Sequence, residues 1–282
     1  MVALLALSAF VLLAAGAILL WRSSGGASSD QPMAQVAFAS EKSLGVNADL
    51  GRLAPAEIEQ SLAAMEGAGF RWLRQRFPWD AVETALGVYD WRAWDAIVDG
   101  AARHDLELLA VLDGSPVWAR SEVDADNALA PPTDTRGFGD FVTAFATRYG
   151  DRIDYYQLWD EPNIAPHWGA REIDPAAYVR LLREGSIRIR SADSDAVVLL
   201  AALAPNVEAG GENMSDLQFL DSVYREGGRE WFDLVAAQPY SFESSVDALP
   251  HAGKLNWRRV ELLRDLMVSH GDGEKAIWTV SF

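Results

Sequence analysis

Along the chain, short apolar runs alternate with stretches in which apolar positions recur every three or four residues. The runs fall at 44–46, 72–76, 106–112, 155–159, 197–203, 234–238 and 276–280. Their length and their Val, Leu, Trp and Tyr content predict strands. Between them the period is helical. Ile58, Leu62 and Met65 mark one face, which ends near Gly67 and Gly69. Trp94, Ile97, Val98 and Ala101 mark the next, with Asp90 placed as its N-cap. Phe138, Phe141, Val142, Phe145 and Tyr149 mark a third, and further helices are predicted over 178–187, 217–224 and 260–268. Near-continuous apolar strands alternating with amphipathic helices predict an α/β fold whose parallel sheet is covered on both faces.

This alternation occupies residues 41–282 and yields seven strands, whereas a closed parallel barrel needs eight. The expectation is a barrel lacking its eighth strand because the coding sequence is truncated. The alternatives are a second chain in the gap, or an open sheet. Ahead of the alternation, residues 2–21 are uncharged and apolar over about the length of a bilayer span. Residues 22–40 read as a Ser/Gly-rich flexible linker. With no basic n-region and no obvious cleavage site, a transmembrane anchor is favoured over a cleaved signal peptide. Either one predicts an extracytoplasmic globular part, tethered to the membrane in the first case and secreted in the second.

Composition narrows the chemistry. A formal charge of −17, with no basic stripe, argues against a nucleic-acid partner. The absence of cysteine excludes disulfides and a thiolate nucleophile, and the four His residues lack metal-ligand spacing, so neither metal nor cofactor is expected. The most informative stretch is 155–163, Tyr-Tyr-Gln-Leu-Trp-Asp-Glu-Pro-Asn. Here an apolar run breaks into two carboxylates, Asp160 and Glu161, and Pro162 stops regular continuation. Acids presented where a buried parallel strand ends lie where such folds place their chemistry.

That stretch resembles the Asn-Glu-Pro acid/base motif of the retaining glycoside hydrolase superfamily built on the TIM (β/α)8 barrel, which includes β-xylosidase- and cellulase-like enzymes. Other segments are similar in the same order. Phe70 to Glu83 carries an Arg five positions before a Trp, Arg74 and Trp79. Gly87-Val-Tyr-Asp-Trp91 is similar to the family's lead into the following helix. Ser115-Pro-Val-Trp-Ala119 is similar to the loop after the third strand, and Gln238-Pro-Tyr240 to the His-Pro-Tyr of the sixth.

The resemblance implies hydrolysis of O-glycosyl bonds in poly- or oligosaccharides by a retaining mechanism. In it Glu161 is the acid/base, and a second carboxylate about 5 Å away is the nucleophile. It also implies substrate contacts from Arg74, Asp160, Asn163, Tyr240 and Trp278, with Trp118 and Trp168 chosen for sugar stacking. Arg74 has a competing role as a structural ion-pair partner, and Tyr240 as a satisfied core tyrosine. Two positions depart from the pattern. Ser281 stands where the nucleophilic Glu belongs, and Asp160 where the family has Asn. Asp113 and Glu243 are the other carboxylates considered for the vacant role, with loop duty on the surface the expectation for both. The competing reading is a catalytically inactive carbohydrate-binding barrel. A barrel enzyme acting on non-carbohydrate substrates lacks support, since no phosphate loop or metal cluster is visible.

Overall fold

The computed structural model describes residues 43–241 and 244–281. At its centre lie seven parallel strands: β1 (Gly45–Ala48), β2 (Trp72–Pro78), β3 (Glu107–Asp113), β4 (Tyr155–Asp160), β5 (Val197–Ala202), β6 (Leu234–Ala237) and β7 (Ile277–Thr279). They pair in chain order, each parallel to the next. Between successive strands run α1 (Pro55–Gly67), α2 (Arg92–Arg103), α3 (Thr135–Tyr149), α4 (Pro175–Ala192), α5 (Asp216–Arg225) and α6 (Arg259–Ser269).

Side-chain alternation sorts each strand into two layers. In β2, Leu73, Gln75 and Phe77 are buried toward the helices, while Trp72, Arg74 and Arg76 point to the inner face. The outer layer is the larger core and takes in Phe138, Phe141 and Phe145 of α3. The inner layer is small and joins Leu109, Leu199, Leu234 and Ala276 to Tyr155 and Trp278. Gly185 lets α4 lie close on β4, because a Cβ there would sit 2.8 Å from Leu158 Cδ1. β4 is the strand that runs out into the two acids.

The fold expectation needs correction. Instead of a (β/α)8 barrel with a membrane helix, the described residues form a mixed α/β fold whose parallel sheet is a partial barrel. The sheet curls far enough that the Trp72 and Trp278 rings stand 5.0 Å apart. Asn47 Nδ2 also reaches across to donate to the Val280 carbonyl at 2.8 Å. No backbone ladder joins β1 to β7, so closure rests on side chains.

The membrane expectation is corrected as well. No helix among the described residues is long and apolar enough to cross a membrane. The longest, α4, carries Arg180, Arg183, Glu184, Arg188 and Arg190. The stretch 2–21 expected as an anchor, and the whole of the expected linker 22–40, lie outside the described residues. Nothing in the described residues supports membrane attachment or the extracytoplasmic placement that rested on it. Glu243 and Phe282 also lie outside the described residues.

Candidate active site

The carboxylates gather at the C-terminal ends of β3 and β4, where Arg74 and Arg76 reach them from β2. Chain direction at the end of β4 is set by two residues in the left-handed region, Trp159 at φ 72° and Glu161 at φ 47°. Non-glycine residues there cost on the order of 1–3 kcal/mol each, and such strain clusters at functional sites. Surrounding bonds hold the conformation. The Glu161 amide donates to the Ala202 carbonyl at 2.9 Å, and Trp159 Nε1 donates to the His167 carbonyl at 3.1 Å.

Asp160 is pinned from two sides. Arg74 Nη2 meets Asp160 Oδ1 at 2.6 Å, and Gln157 Nε2 donates to the same oxygen at 2.9 Å. Arg74 Nε in turn donates to Gln157 Oε1 at 3.1 Å. Only about an eighth of either charged side chain is exposed. Arg74 therefore does form an ion pair, and its partner is itself a candidate site residue.

Glu161 reaches the other way, to β6. Gln238 Nε2 donates to Glu161 Oε1 at 3.1 Å, and Tyr240 Oη donates to Gln238 Oε1 at 2.9 Å. The Tyr240 hydroxyl also lies 2.7 Å from Ser281 Oγ. A polar chain thus runs from Glu161 through Gln238 and Tyr240 to Ser281. Burial pushes the Glu161 carboxyl above the usual range, and the Asp160 charge adds to the shift. His167, Gln238 and Arg74 oppose it.

Asp113 departs from its expected place on the surface. It is 2 % exposed at the end of β3, with Oδ2 2.8 Å from Arg76 Nη2 and Oδ1 buried without a hydrogen-bond partner. Burial raises its pKa to about 6, against the pull of Arg76. The folded pKa lies above the unfolded one, so Asp113 contributes stability below the ordinary carboxylate range. That contribution is lost as pH rises through about 6. Between about pH 4 and pH 7 the native protein is expected to lose about 2–3 kcal/mol from this group. Urea unfolding of Asp113→Asn should lack that part of the slope, and identical slopes would contradict the assignment.

The remaining candidates divide. Trp118 is 41 % exposed and its ring stands perpendicular to that of Trp79 at 5.3 Å, so part of the indole meets solvent. Trp168 is 1 % exposed in the core, beside Trp159 and Tyr178. Asn163 is fully buried. Its Nδ2 donates to the Ala204 and Met214 carbonyls at 2.7 and 2.9 Å, and its Oδ1 accepts from the Ala204 amide at 2.9 Å. It ties the β4 loop to the β5 loop. Trp278 lies in the inner layer against Trp72 and Tyr155, beside the strand starts. Arg74, Asp160, Glu161, Tyr240 and Ser281 thus come together, Trp118 lies open, and Asn163, Trp168 and Trp278 serve packing and loop architecture.

Three participants were not picked out as site residues from sequence. Gln157 and Gln238 are polar residues inside otherwise apolar strand runs, and that mismatch was a readable signal. His167 stands six residues after Glu161 in the same loop, with Nε2 3.4 Å from Glu161 Oε2. No group of His, Asp or Glu side chains among the described residues is placed to hold a metal ion. A hollow of about 700 Å³ opens at the opposite end of the sheet, lined by residues that include Arg71, Trp72, Glu107 and Arg152. In parallel α/β barrels chemistry sits at the strand C-termini, so the carboxylate end is the candidate site.

No family model matches the sequence, and no curated protein matches it. The fold is shared with solved glycoside hydrolases. One is a family 39 glycoside hydrolase from the gut symbiont Bacteroides cellulosilyticus WH2, with TM-score 0.61 and 19 % identity over 83 % of this chain and 47 % of that one. Another is a family 39 enzyme from Xanthomonas axonopodis pv. citri, at 0.60 and 18 % over 84 % and 50 %. An endo-1,4-β-mannanase from Rhizomucor miehei gives 0.57 and 16 % over 83 % and 75 %. This chain spans about half the length of the two family 39 structures. At these identities the likeness is one of fold.

Proposed function

We propose that this chain is a glycoside hydrolase-like protein whose site engages O-glycosyl bonds of poly- or oligosaccharides, with Glu161 as the acid/base. One observation carries the reading: a partly desolvated Glu161 at the C-terminal end of β4, bonded to Gln238 and linked through Tyr240 to position 281. A carboxyl whose pKa is raised by burial can hold a proton for a leaving oxygen near neutral pH. Arg74 and Asp160 flank it as polar contacts for sugar hydroxyls, and Trp118 offers the exposed part of its indole.

A second reading is a carbohydrate-binding site without turnover. It is favoured by Ser281, whose hydroxyl meets Tyr240 where a retaining enzyme needs a carboxylate nucleophile. A serine without a base attacks an acetal poorly. Turnover of aryl xylosides, glucosides, mannosides and galactosides, run beside calorimetric sugar binding, separates the two. Hydrolysis abolished by Glu161→Ala supports the first reading, and binding alone supports the second. The absence of both hydrolysis and binding would contradict the carbohydrate assignment.

The departures at 160 and 281 are coupled in this account. Asp160 holds Arg74 at 2.6 Å, and a carboxylate introduced at 281 would meet a second negative charge nearby. Ser281→Glu alone is therefore expected to change turnover little. Adding Asp160→Asn should raise turnover at least about 100-fold further, the scale of one well-placed donor. A large gain from the single change would refute the coupling.

A further inference from the structure

Arg76 and Asp80 flank the end of β2 and have no part in the acid/base reading of Glu161. Arg74 and Arg76 project from the same face of β2, two residues apart and so about 7 Å along the strand. Arg74 lies deeper, with 14 % of its side chain exposed and its Nε and Nη2 bonded to Gln157 and Asp160. Arg76 lies nearer the rim, with 31 % exposed. Its Nε and Nη2 both meet Asp113 Oδ2, at 2.9 and 2.8 Å, and Asp113 is buried. One edge of the guanidinium is thus anchored while the side chain still meets solvent.

Asp80 follows the last residue of β2 by two positions and is half-buried. Burial pushes its carboxyl above the usual range, against the pull of Arg120 and Arg76. Both cations are engaged elsewhere, Arg76 with Asp113 and Arg120 Nη1 with the Asp124 carbonyl at 3.4 Å. The loop after β3 closes on the same spot. Gly114, at φ 72°, directly follows Asp113, and a Cβ added there would lie 3.4 Å from Asp80 Oδ1. Beside Asp80, the buried Trp79 ring stands 5.3 Å from that of the partly exposed Trp118. Donor, acceptor and indole therefore belong to one patch at the ends of β2 and β3.

We propose that Arg76 and Asp80 form a subsite for a second sugar ring, nearer the rim than the ring whose glycosidic oxygen Glu161 protonates. The proposal deepens the carbohydrate reading and rests on it. A guanidinium only donates hydrogen bonds, and a carboxylate only accepts them. Adjacent hydroxyls of one sugar ring supply both partners, one accepting from Arg76 and the next donating to Asp80. The exposed part of Trp118 adds apolar contact for the C–H face of the ring. Asp113 holds Arg76 from the buried side.

The test is calorimetric titration of the native protein, Asp80→Ala and Arg76→Gln with xylo-, gluco-, manno- and galacto-saccharides of increasing length. Binding is read directly, so turnover is not needed. Asp80→Ala leaves the Arg76–Asp113 pair intact and decides the matter even if Arg76→Gln, which strands a buried carboxylate, fails to fold. In the native protein, affinity should rise as rings are added. Each variant should lower affinity for the longer chains roughly tenfold or more, the scale of a hydrogen bond to a charged group. Affinity for the shortest sugar that binds should stay unchanged. An equal gain with length in the native protein and Asp80→Ala, or a loss that falls as heavily on the shortest sugar, would overturn the subsite. Either result leaves the acid/base reading of Glu161 standing. No binding of any sugar by the native protein would overturn both.

Discussion

Glu161→Gln is expected to lower kcat/KM by about 10²–10⁴-fold for glycosides with poor leaving groups, equivalent to about 3–5 kcal/mol of transition-state stabilisation. The amide keeps the shape of the side chain and its contact with Gln238, yet it has no proton to give. The loss should shrink sharply for a dinitrophenyl glycoside, whose departing phenolate needs little protonation. That leaving-group dependence separates an acid catalyst from a residue that only shapes the pocket. A uniform loss across leaving groups would assign Glu161 to binding.

The second large effect is on stability. Arg259 is 2 % exposed at the start of α6, and its guanidinium meets both Asp216 oxygens, with contacts of 2.6 to 3.0 Å. It also donates to the carbonyls of Ala252 at 2.7 Å, Lys254 at 3.1 Å and Asn206 at 3.1 Å. One side chain therefore gathers the long loop after β6, the loop after β5 and the first turn of α5. Arg259→Ala strands the buried Asp216 charge and frees four carbonyls, those of His251, Ala252, Lys254 and Asn206. Urea unfolding should show a loss of about 3–5 kcal/mol. Pairing it with Asp216→Leu should recover part of that, since removing both charges avoids leaving one alone. A loss within about 0.5 kcal/mol, the range of ordinary surface changes, would contradict this account.

Much of the architecture was legible because period and burial coincide. The apolar run at 155–159 became β4 almost residue for residue, and the Phe138–Phe141–Phe145 face became the packed side of α3. The boundary at Asp90 shifted slightly. Its carboxylate accepts from the Arg92 amide at 3.2 Å, while Trp91 occupies the cap position. Two short ribbons, Glu83–Ala85 with Val88–Tyr89 and Ala209–Gly210 with Asn213–Met214, carry too few residues to show a period.

The site was half legible. Carboxylates at the end of a strand run are visible in one dimension, and so is their likeness to a known motif. Which indole lines a cleft is not visible there, because Trp118 and Trp168 both follow strands and only packing separates them. Asn163 shows the same limit. Its place beside the acids suggests a ligand contact, yet its amide is used up by the Ala204 and Met214 backbone. His167 and Arg259 were hidden for a further reason, since their partners come from distant segments or depend on how a loop folds back.

The most direct test of the carbohydrate reading is a crystal structure of Glu161→Gln soaked with short xylo-, gluco-, manno- and galacto-oligosaccharides. The account predicts a sugar across the C-terminal ends of β2, β4 and β6. Its glycosidic oxygen should lie within hydrogen-bond reach of side chain 161, and its hydroxyls should meet Arg74 or Asp160. A sugar seated at the opposite end of the sheet near Arg71 and Arg152, or no sugar in any soak, would contradict it.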